Sequence, residues 1–419
     1  MQIPAAVALA FTAFQAHAAK ASFCETMPPL TAQVYAHAKA AARADTDFGL
    51  ALYQRIKGDP STNVFLSPHS ISTALAMTYA GASGETRAAM AESLRLTSLG
   101  DDIHASFRDL TAALNCRSDA SYELRSVNAL WGQQGFHFNE SFLTSIASNY
   151  DGKFRALDFR GATEASRETI NDWVARQTDN RITNLLSQES IRPDTRLVLT
   201  NAIYYKAPWR NQFSEAATRP MNFRLANGST ISVPALNQVD DYATATLDGV
   251  RIVELPFATS ETGESAQSMI ILMPETSGPT LAGLEEQLSP DRLSRLRDAL
   301  RWQSVDLTLP KFKFTSEFRL KDALKALGMG LAFSPQADFS GITTETDLAI
   351  SDAIHKAYID VNERGAEAAA ATAVVVVESS GAQPEEPITV RIDRPFLFLI
   401  VDKPTDAVLF LGRVARPDA

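Results

Sequence analysis

Hydrophobic spacing changes character near Leu197, and that change limits the folds open to this chain. Upstream, apolar residues recur at helical intervals. In "TINDWVARQTDNRITNLL", Ile170, Trp173 and Val174, then Ile182, Leu185 and Leu186, keep that spacing. In "TNVFLSPHSISTALAMTYAGAS", Ser67 stands as an N-cap with Pro68 at the first helical position, which predicts a helix start. Downstream the signals are those of strands. "LVLTNAIYYKAPW" is a mostly apolar run suited to a buried strand. "GVRIVELPF" and "SMIILMPE" flank a Ser/Thr/Gly/Glu stretch and predict a hairpin. "SVDLTLPKFKF" places Val305, Leu307 and Leu309 on one parity and Phe312 and Phe314 on the other. The switch at Pro310-Lys311 predicts a bulge or bend. "RPFLFLIVD" and "AVLFLGRV", joined by "DKPTD", supply the last strands. Helices early and strands late, without a regular βαβ rhythm, point to an α+β fold. No repeat period or Pro/Gly/Ser linker divides the chain.

Charge narrows the possible partners. The 39 Lys and Arg residues against 49 Asp and Glu give a formal charge of −10, so neither nucleic acid nor an anionic membrane is an expected partner. The apolar tract Ile3 to Phe14 is too short to span a bilayer. With Ala16-His17-Ala18 as a small-x-small cleavage site, residues 1–18 read as a signal peptide, although no basic residue precedes the tract. The expected location is therefore secreted, periplasmic or extracellular; an Ala-rich leader helix or a mis-assigned start is the alternative. Cys24 and Cys116 are too few for a disulfide scaffold; they could pair in an oxidising compartment, but spacing does not show proximity.

Motifs of catalysis are missing. The six histidines (17, 37, 69, 104, 137 and 355) show no HExxH spacing, and no CxxC pair is present, so neither a metal nor a cofactor is expected. There is also no GxSxG elbow, P-loop or GxGxxG fingerprint. A dispersed triad is the remaining enzymatic alternative, since triads need not be local in sequence.

One ribbon stands apart. "NERGAEAAAATAVVVVESSG" runs from Asn362 to Gly381, and from Ala366 to Val377 only Glu367 is neither small nor β-branched. Helix propensity in its first half and strand propensity in its second allow a helix running into a strand. Read instead as one strand, it puts Ala366, Ala368, Ala370, Thr372, Val374 and Val376 on one uncharged face. Such a face can enter a sheet without desolvating a charge. Gly365 precedes it with a permissive backbone, and the next proline is Pro384.

Long motifs now carry a resemblance. "NVFLSPHSISTALAMTYAGASGETRAAM", "LVLTNAIYYKAPWRNQF", "LPKFKF", "DFSGI", "AIHKAYIDVNERGAEAAAAT", "DRPFLFLI" and "LFLGRVARP" occur in the order found in the serpins. The chain resembles that family from about Asp45 to Pro417, which makes 45–417 one domain preceded by an extension at 19–44. The resemblance implies eight or nine helices around three β-sheets, with an exposed reactive loop at about 363–388. It implies no enzyme but a suicide substrate. A serine protease attacks the loop, and the acyl-enzyme is trapped as the severed loop enters the central sheet.

Residue roles follow from the same resemblance. Glu363, Arg364 and Gly365 begin the hinge, and Ala366, Glu367, Ala368, Ala369, Ala370, Ala371 and Thr372 form its first inserting part. The family prefers Thr or Ser where Ala366 stands. Ser67, Ser70, Asn201 and His355 match the polar shutter beneath the opening sheet. Trp209, Lys311 and Glu363 match the breach at the insertion point, with a Lys311–Glu363 ion pair expected. A helix cap at Ser67, a satisfied core histidine and a surface salt bridge are the plain structural alternatives. Loop length places the scissile bond at Ser379–Ser380, with Val377 and Glu378 as alternatives because "AQPEEP" lengthens the return segment. Small residues there suit elastase-like or subtilisin-like targets, Glu378 a Glu-specific protease. With no Arg or Lys between Ala366 and Gln383, trypsin-like targets are not expected. The segment matching the heparin helix of some relatives holds Arg108 and Arg117 against four Asp, so heparin activation is not expected. The implied protein is a monomer forming a covalent complex with its protease. The alternatives are a non-inhibitory binding or chaperone-like member and an inhibitor of cysteine proteases.

Overall fold

The computed structural model describes residues 24–27, 29–117, 122–259, 265–344, 348–366 and 386–417. The expected signal peptide and the ribbon from Glu367 onward lie outside them. Nine α-helices occur among the described residues: α1 Ala32–Ile56, α2 Pro68–Tyr79, α3 Gly84–Ser93, α4 Ile103–Asn115, α5 Glu140–Tyr150, α6 Thr163–Gln177, α7 Leu281–Glu286, α8 Pro290–Asp298 and α9 Lys321–Leu324. Local chemistry starts several of them. Ser67 accepts from the Ser70 N–H at 3.1 Å with Pro68 following, and Ser289 and Pro290 repeat the device for α8. The boundary expected after residue 44 falls inside α1, and Ala38, Ala41 and Ala42 of that helix are buried in the core, so residues 32–44 belong to the packed body.

Six strands build the central sheet: β2 Glu123–Gln133, β3 Lys153–Leu157, β4 Leu197–Pro208, β10 Phe312–Arg319, β11 Ala353–Asn362 and β12 Gly365–Ala366. Their order is β10-β11-β12-β4-β2-β3, and β11 also pairs directly with β4. The other nine strands form one sheet. It holds β1 Val64–Leu66, β5 Arg219–Arg224, β6 Thr230–Leu247, β7 Val250–Pro256, β8 Gln267–Pro274, β9 Arg301–Pro310, β13 Ile388–Arg391, β14 Phe396–Asp402 and β15 Ala407–Val414. The two smaller sheets of the expectation are continuous here because β6 spans 18 residues. It pairs with β5 and β9 early and with β7 late. The predicted β7–β8 and β14–β15 hairpins are present.

Two local expectations change. Pro310-Lys311 is no bulge: β9 and β10 lie in different sheets. The parity switch lets Val305, Leu307, Leu309 and Phe312 all face the core between those sheets. Ile182, Leu185 and Leu186 are buried but not helical. Asp179 and Asn180 take left-handed φ values of 47° and 60°, ending the helical run, and the Asn171 amide holds Leu186 N and O at 2.8 and 2.9 Å. Periodicity there reported burial rather than backbone.

Cys24 and Cys116 form a disulfide with Cα atoms 5.4 Å apart across 92 residues of sequence. Closing a loop of that length stabilises the folded state by about 4–5 kcal/mol in the chain-entropy description. A second tie is electrostatic. Arg413 on β15 is 1% exposed and donates to Glu285 Oε1 at 3.0 Å and to the Lys57 and Asp59 carbonyls at 2.6 Å. Glu285 also accepts from the Tyr53 hydroxyl at 2.5 Å, so α1, α7 and β15 meet at one buried charge pair. Glu285→Ala strands that guanidinium without its counter-charge and is predicted to cost about 3–5 kcal/mol. Urea unfolding checks this, and a loss below about 1 kcal/mol would show that water or other groups replace the carboxylate.

Candidate functional site

The central sheet is split at one end. β4 and β11 pair in parallel from Leu199–Ala353 to Ile203–Ala357, and there the shared register stops. Farther along, β12 stands between them: Gly365 faces Pro208 and Asn362, and Ala366 faces Ala207 and Val361. β12 is antiparallel to both neighbours. An added residue would therefore gain an antiparallel partner on each side, and only once the strand reached Ile203 and Ala357 would it replace a parallel pairing, which is slightly less stable per residue. Ala366, the first residue of the ribbon's uncharged face, already sits in the sheet, 2% exposed. Gly365 is required by close approach. A Cβ there would lie 2.1 Å from the Ala207 carbonyl oxygen and 2.8 Å from Pro208 Cα.

Trp209, Lys311 and Glu363 converge above that entry. Trp209 Nε1 donates to the Asn362 carbonyl at 2.9 Å, and its backbone N–H donates to Arg364 O at 2.9 Å. The indole stacks on Phe257 at 4.9 Å, with Phe213 at its edge. Lys311 Nζ reaches both Glu363 oxygens at 2.8 Å, and Thr218 Oγ1 donates to one of them at 2.7 Å. Burial by itself would raise the Glu363 carboxyl, but hydrogen bonds from Lys311 and Thr218 outweigh it and hold the group below its usual range. Arg364 meets Glu215 at 3.4 Å, an exposed contact. Sequence reasoning missed Thr218 and Glu215, which sit in a short irregular segment about 145 residues before the hinge and carry no local signal.

Ser67, Ser70, Asn201 and His355 also come together, at the lower end of the split. His355 and Asn201 are register partners across the parallel pair. The Ser67 N–H donates to His355 Nε2 at 3.2 Å, which fixes the proton of the neutral ring on Nδ1, facing Asn201 Oδ1. Asn201 Nδ2 then donates to Ser70 O, Ser70 Oγ and Asn128 Oδ1. The Ser67 hydroxyl closes the set on Leu409 O at 2.6 Å. Complete burial pushes His355 down to about 3, so the ring is neutral at pH 7. Asn128, on β2 opposite Asn201, is a further member that the sequence reading did not name.

The remaining expectations divide by position. Glu367, Ala368, Ala369, Ala370, Ala371 and Thr372, and the bond candidates Val377, Glu378, Ser379 and Ser380, lie outside the described residues. Arg108 pairs with Asp109 at 2.8 Å and Arg117 with Asp402 at 2.5 Å. Among the described residues, no cluster of three His, Cys, Asp or Glu side chains could hold a metal. No helix among them is long and apolar enough to cross a membrane.

Residues 43–417 match the family model described as Serpin (serine protease inhibitor). The chain belongs to the serpins. An uncharacterized serpin-like protein of Thermococcus kodakarensis is 38% identical over 90% of this chain and 86% of its own. Leukocyte elastase inhibitor of Bos taurus is 37% identical over 89% of this chain and 98% of its own. Human thyroxine-binding globulin, a solved structure, has a TM-score of 0.80 and 29% identity over 91% of this chain and 99% of that one. The family therefore includes relatives named as inhibitors and others named for a ligand.

His355 gives this serpin a pH signature. Between its unfolded value of about 6.5 and its folded value of about 3, the unfolded chain takes up a proton that the folded chain refuses. Its stabilising effect is complete above pH 6.5 and is lost as pH falls, with a slope up to about 1.4 kcal/mol per unit. Asp45, which burial raises, contributes the opposite sign, so a variant comparison is needed. Urea unfolding of wild type and His355→Gln between pH 7 and 4 should give a shallower slope for the variant. Parallel slopes would mean that the buried ring accepts its proton in the folded state.

Proposed function

We propose that this serpin is a suicide-substrate inhibitor of serine endopeptidases. The observation that carries the reading is β12, two residues of the hinge seated where the β4–β11 pair parts. The positions that follow on the inward parity, Ala368, Ala370, Thr372, Val374 and Val376, bring no charge and no proline. Entry of those residues desolvates nothing ionic and adds two hydrogen-bonding neighbours at each step.

Chemistry then becomes a race. The protease serine Oγ attacks the carbonyl of Ser379, the bond to Ser380 breaks, and an ester joins the inhibitor to the enzyme. Insertion of the freed strand must carry the protease away before water cleaves that ester. The serpin supplies a substrate, a pre-opened sheet and stored strain; the protease supplies the nucleophile. Small residues around the bond suit elastase-like or subtilisin-like enzymes, in keeping with the name of the bovine relative. The proposed protein is an exported monomer whose partner is the target protease, held covalently, and heparin has no part in its activation.

The test mixes the protein with pancreatic elastase and with subtilisin, followed by denaturing gels and mass spectrometry. A stable adduct is expected, with the released C-terminal peptide beginning at Ser380. Loop cleavage without an adduct for either enzyme, and for Glu-specific and cysteine proteases in turn, overturns the inhibitory reading. Ala366→Arg places a cation at a position 2% exposed and should convert the trap into a substrate, with cleavage retained and adduct lost. An unchanged adduct yield from that variant would remove insertion from the mechanism.

A further inference from the structure

The Cys24–Cys116 disulfide is joined by short contacts to the strand that lines the split. Cys116 follows the last residue of α4, and the chain then leads to β2, whose first residues Glu123 and Leu124 pair with Lys206 and Tyr205 of β4. Both ends of the connection are fastened. Arg117 Nη2 donates to Asp402 Oδ1 at 2.5 Å, with side chains 6% and 0% exposed, and to the Tyr122 hydroxyl at 2.9 Å. The Tyr122 hydroxyl in turn donates to Leu114 O at the end of α4. Asp402 Oδ1 also accepts from Gln267 Nε2 at 3.2 Å, and Gln267 Oε1 accepts from the Tyr205 hydroxyl at 2.8 Å. Tyr205 lies beyond Ile203, where β4 has parted from β11. Three side-chain hydrogen bonds therefore connect the residue after the disulfide to the edge that must move if a strand enters.

We propose that Cys24–Cys116 is a thiol–disulfide exchange site through which a dithiol reductant loosens the β2–β4 side of the split. Both cysteines are partly exposed rather than sealed in the core. The thiolate of the reductant attacks one protein sulfur, and the protein S–S bond breaks to release the other as a thiolate. The second thiol of the reductant then resolves the mixed disulfide. Two electrons pass from the dithiol to the protein, leaving two protein thiols and an oxidised reductant. Nothing else in the anchor is broken, but the junction from Cys116 to Tyr122 loses its covalent tie to the segment before α1. The β2–β4 pair is then freer to shift from β11. This regulation bears on the site of the proposed function and rests on that reading for its biological meaning, but not for its measurement.

Hydrogen exchange read by mass spectrometry measures the opening directly. The oxidised protein, the same protein reduced with a phosphine, and Cys24→Ser/Cys116→Ser are compared well below their melting temperatures. Amides of residues 199–203 and 353–357, which form the β4–β11 ladder, should exchange roughly tenfold faster without the disulfide, while those of β6 and β9 stay unchanged. Equal exchange at the split in all three forms overturns the proposal. Faster exchange throughout the molecule also overturns it, because reduction would then act on global stability alone. In a parallel arm, protease adducts are quantified in each form. Absence of adduct in every form defeats the inhibitory reading and leaves the exchange result standing.

Discussion

The parallel ladder between β4 and β11 is the interaction on which the rest of the structure depends. It closes the lower part of the central sheet through five register pairs and leaves the upper part open to β12. A parallel pair has the same strand direction on both sides, so any chain lying antiparallel to one strand is antiparallel to the other. β12 already takes that direction. Under the proposed inhibitory reading, a longer strand in that direction would gain a ladder on each side, so the driving force would be topological rather than a matter of any one contact. The α6 cluster around Trp131 and Trp173 packs on one face of the sheet, against β2, β4 and β11 alike.

Polar groups hold the two ends of the split in different ways. Near the entry, Lys311, Thr218 and the indole of Trp209 hold Glu363 and the carbonyls of Asn362 and Arg364. Those contacts fix where the ribbon begins, and they involve side chains that need not move when later residues advance. At the lower end, His355 and Asn201 face each other across the ladder that an advancing strand would break. His355 Nδ1 and Nε2 and the Asn201 amide all have partners there, so separating the strands would expose donors and acceptors together. An inserting backbone brings its own N–H and C=O groups to the same place. An apolar seal would zip closed with no such exchange available.

Local chemistry made much of the fold legible. Ser67-Pro68 marked a helix start, the β7–β8 and β14–β15 hairpins followed from apolar runs and turn residues, and the helix-then-strand order indicated α+β. Failures came where a distant contact decided the outcome. Ile182, Leu185 and Leu186 have helical spacing, yet Asn171 captures Leu186 and the backbone turns instead. Pro310-Lys311 carries a parity switch that a bend would explain, but the partner sheets differ on its two sides. The shutter and breach residues were named only through resemblance, since no periodicity joins Ser67 to His355 across 288 positions. Thr218, Glu215 and Asn128 have neither motif nor spacing, and only the folded geometry places them. The pairing of Cys24 with Cys116 belongs to the same class.

Gly365 shows how little latitude the entry has. Its missing Cβ is what allows the backbone to pass the Ala207 carbonyl, and the next residue, Ala366, fills the core with one methyl. A larger residue at the first position would hold the chain out of the sheet. A larger one at the second would have to displace packed neighbours such as Ala207 and Val361. A small side chain at Ala366 is therefore a steric requirement of the strands that flank it. The entry to the sheet thus admits a chain with no side chain at Gly365 and one methyl at Ala366.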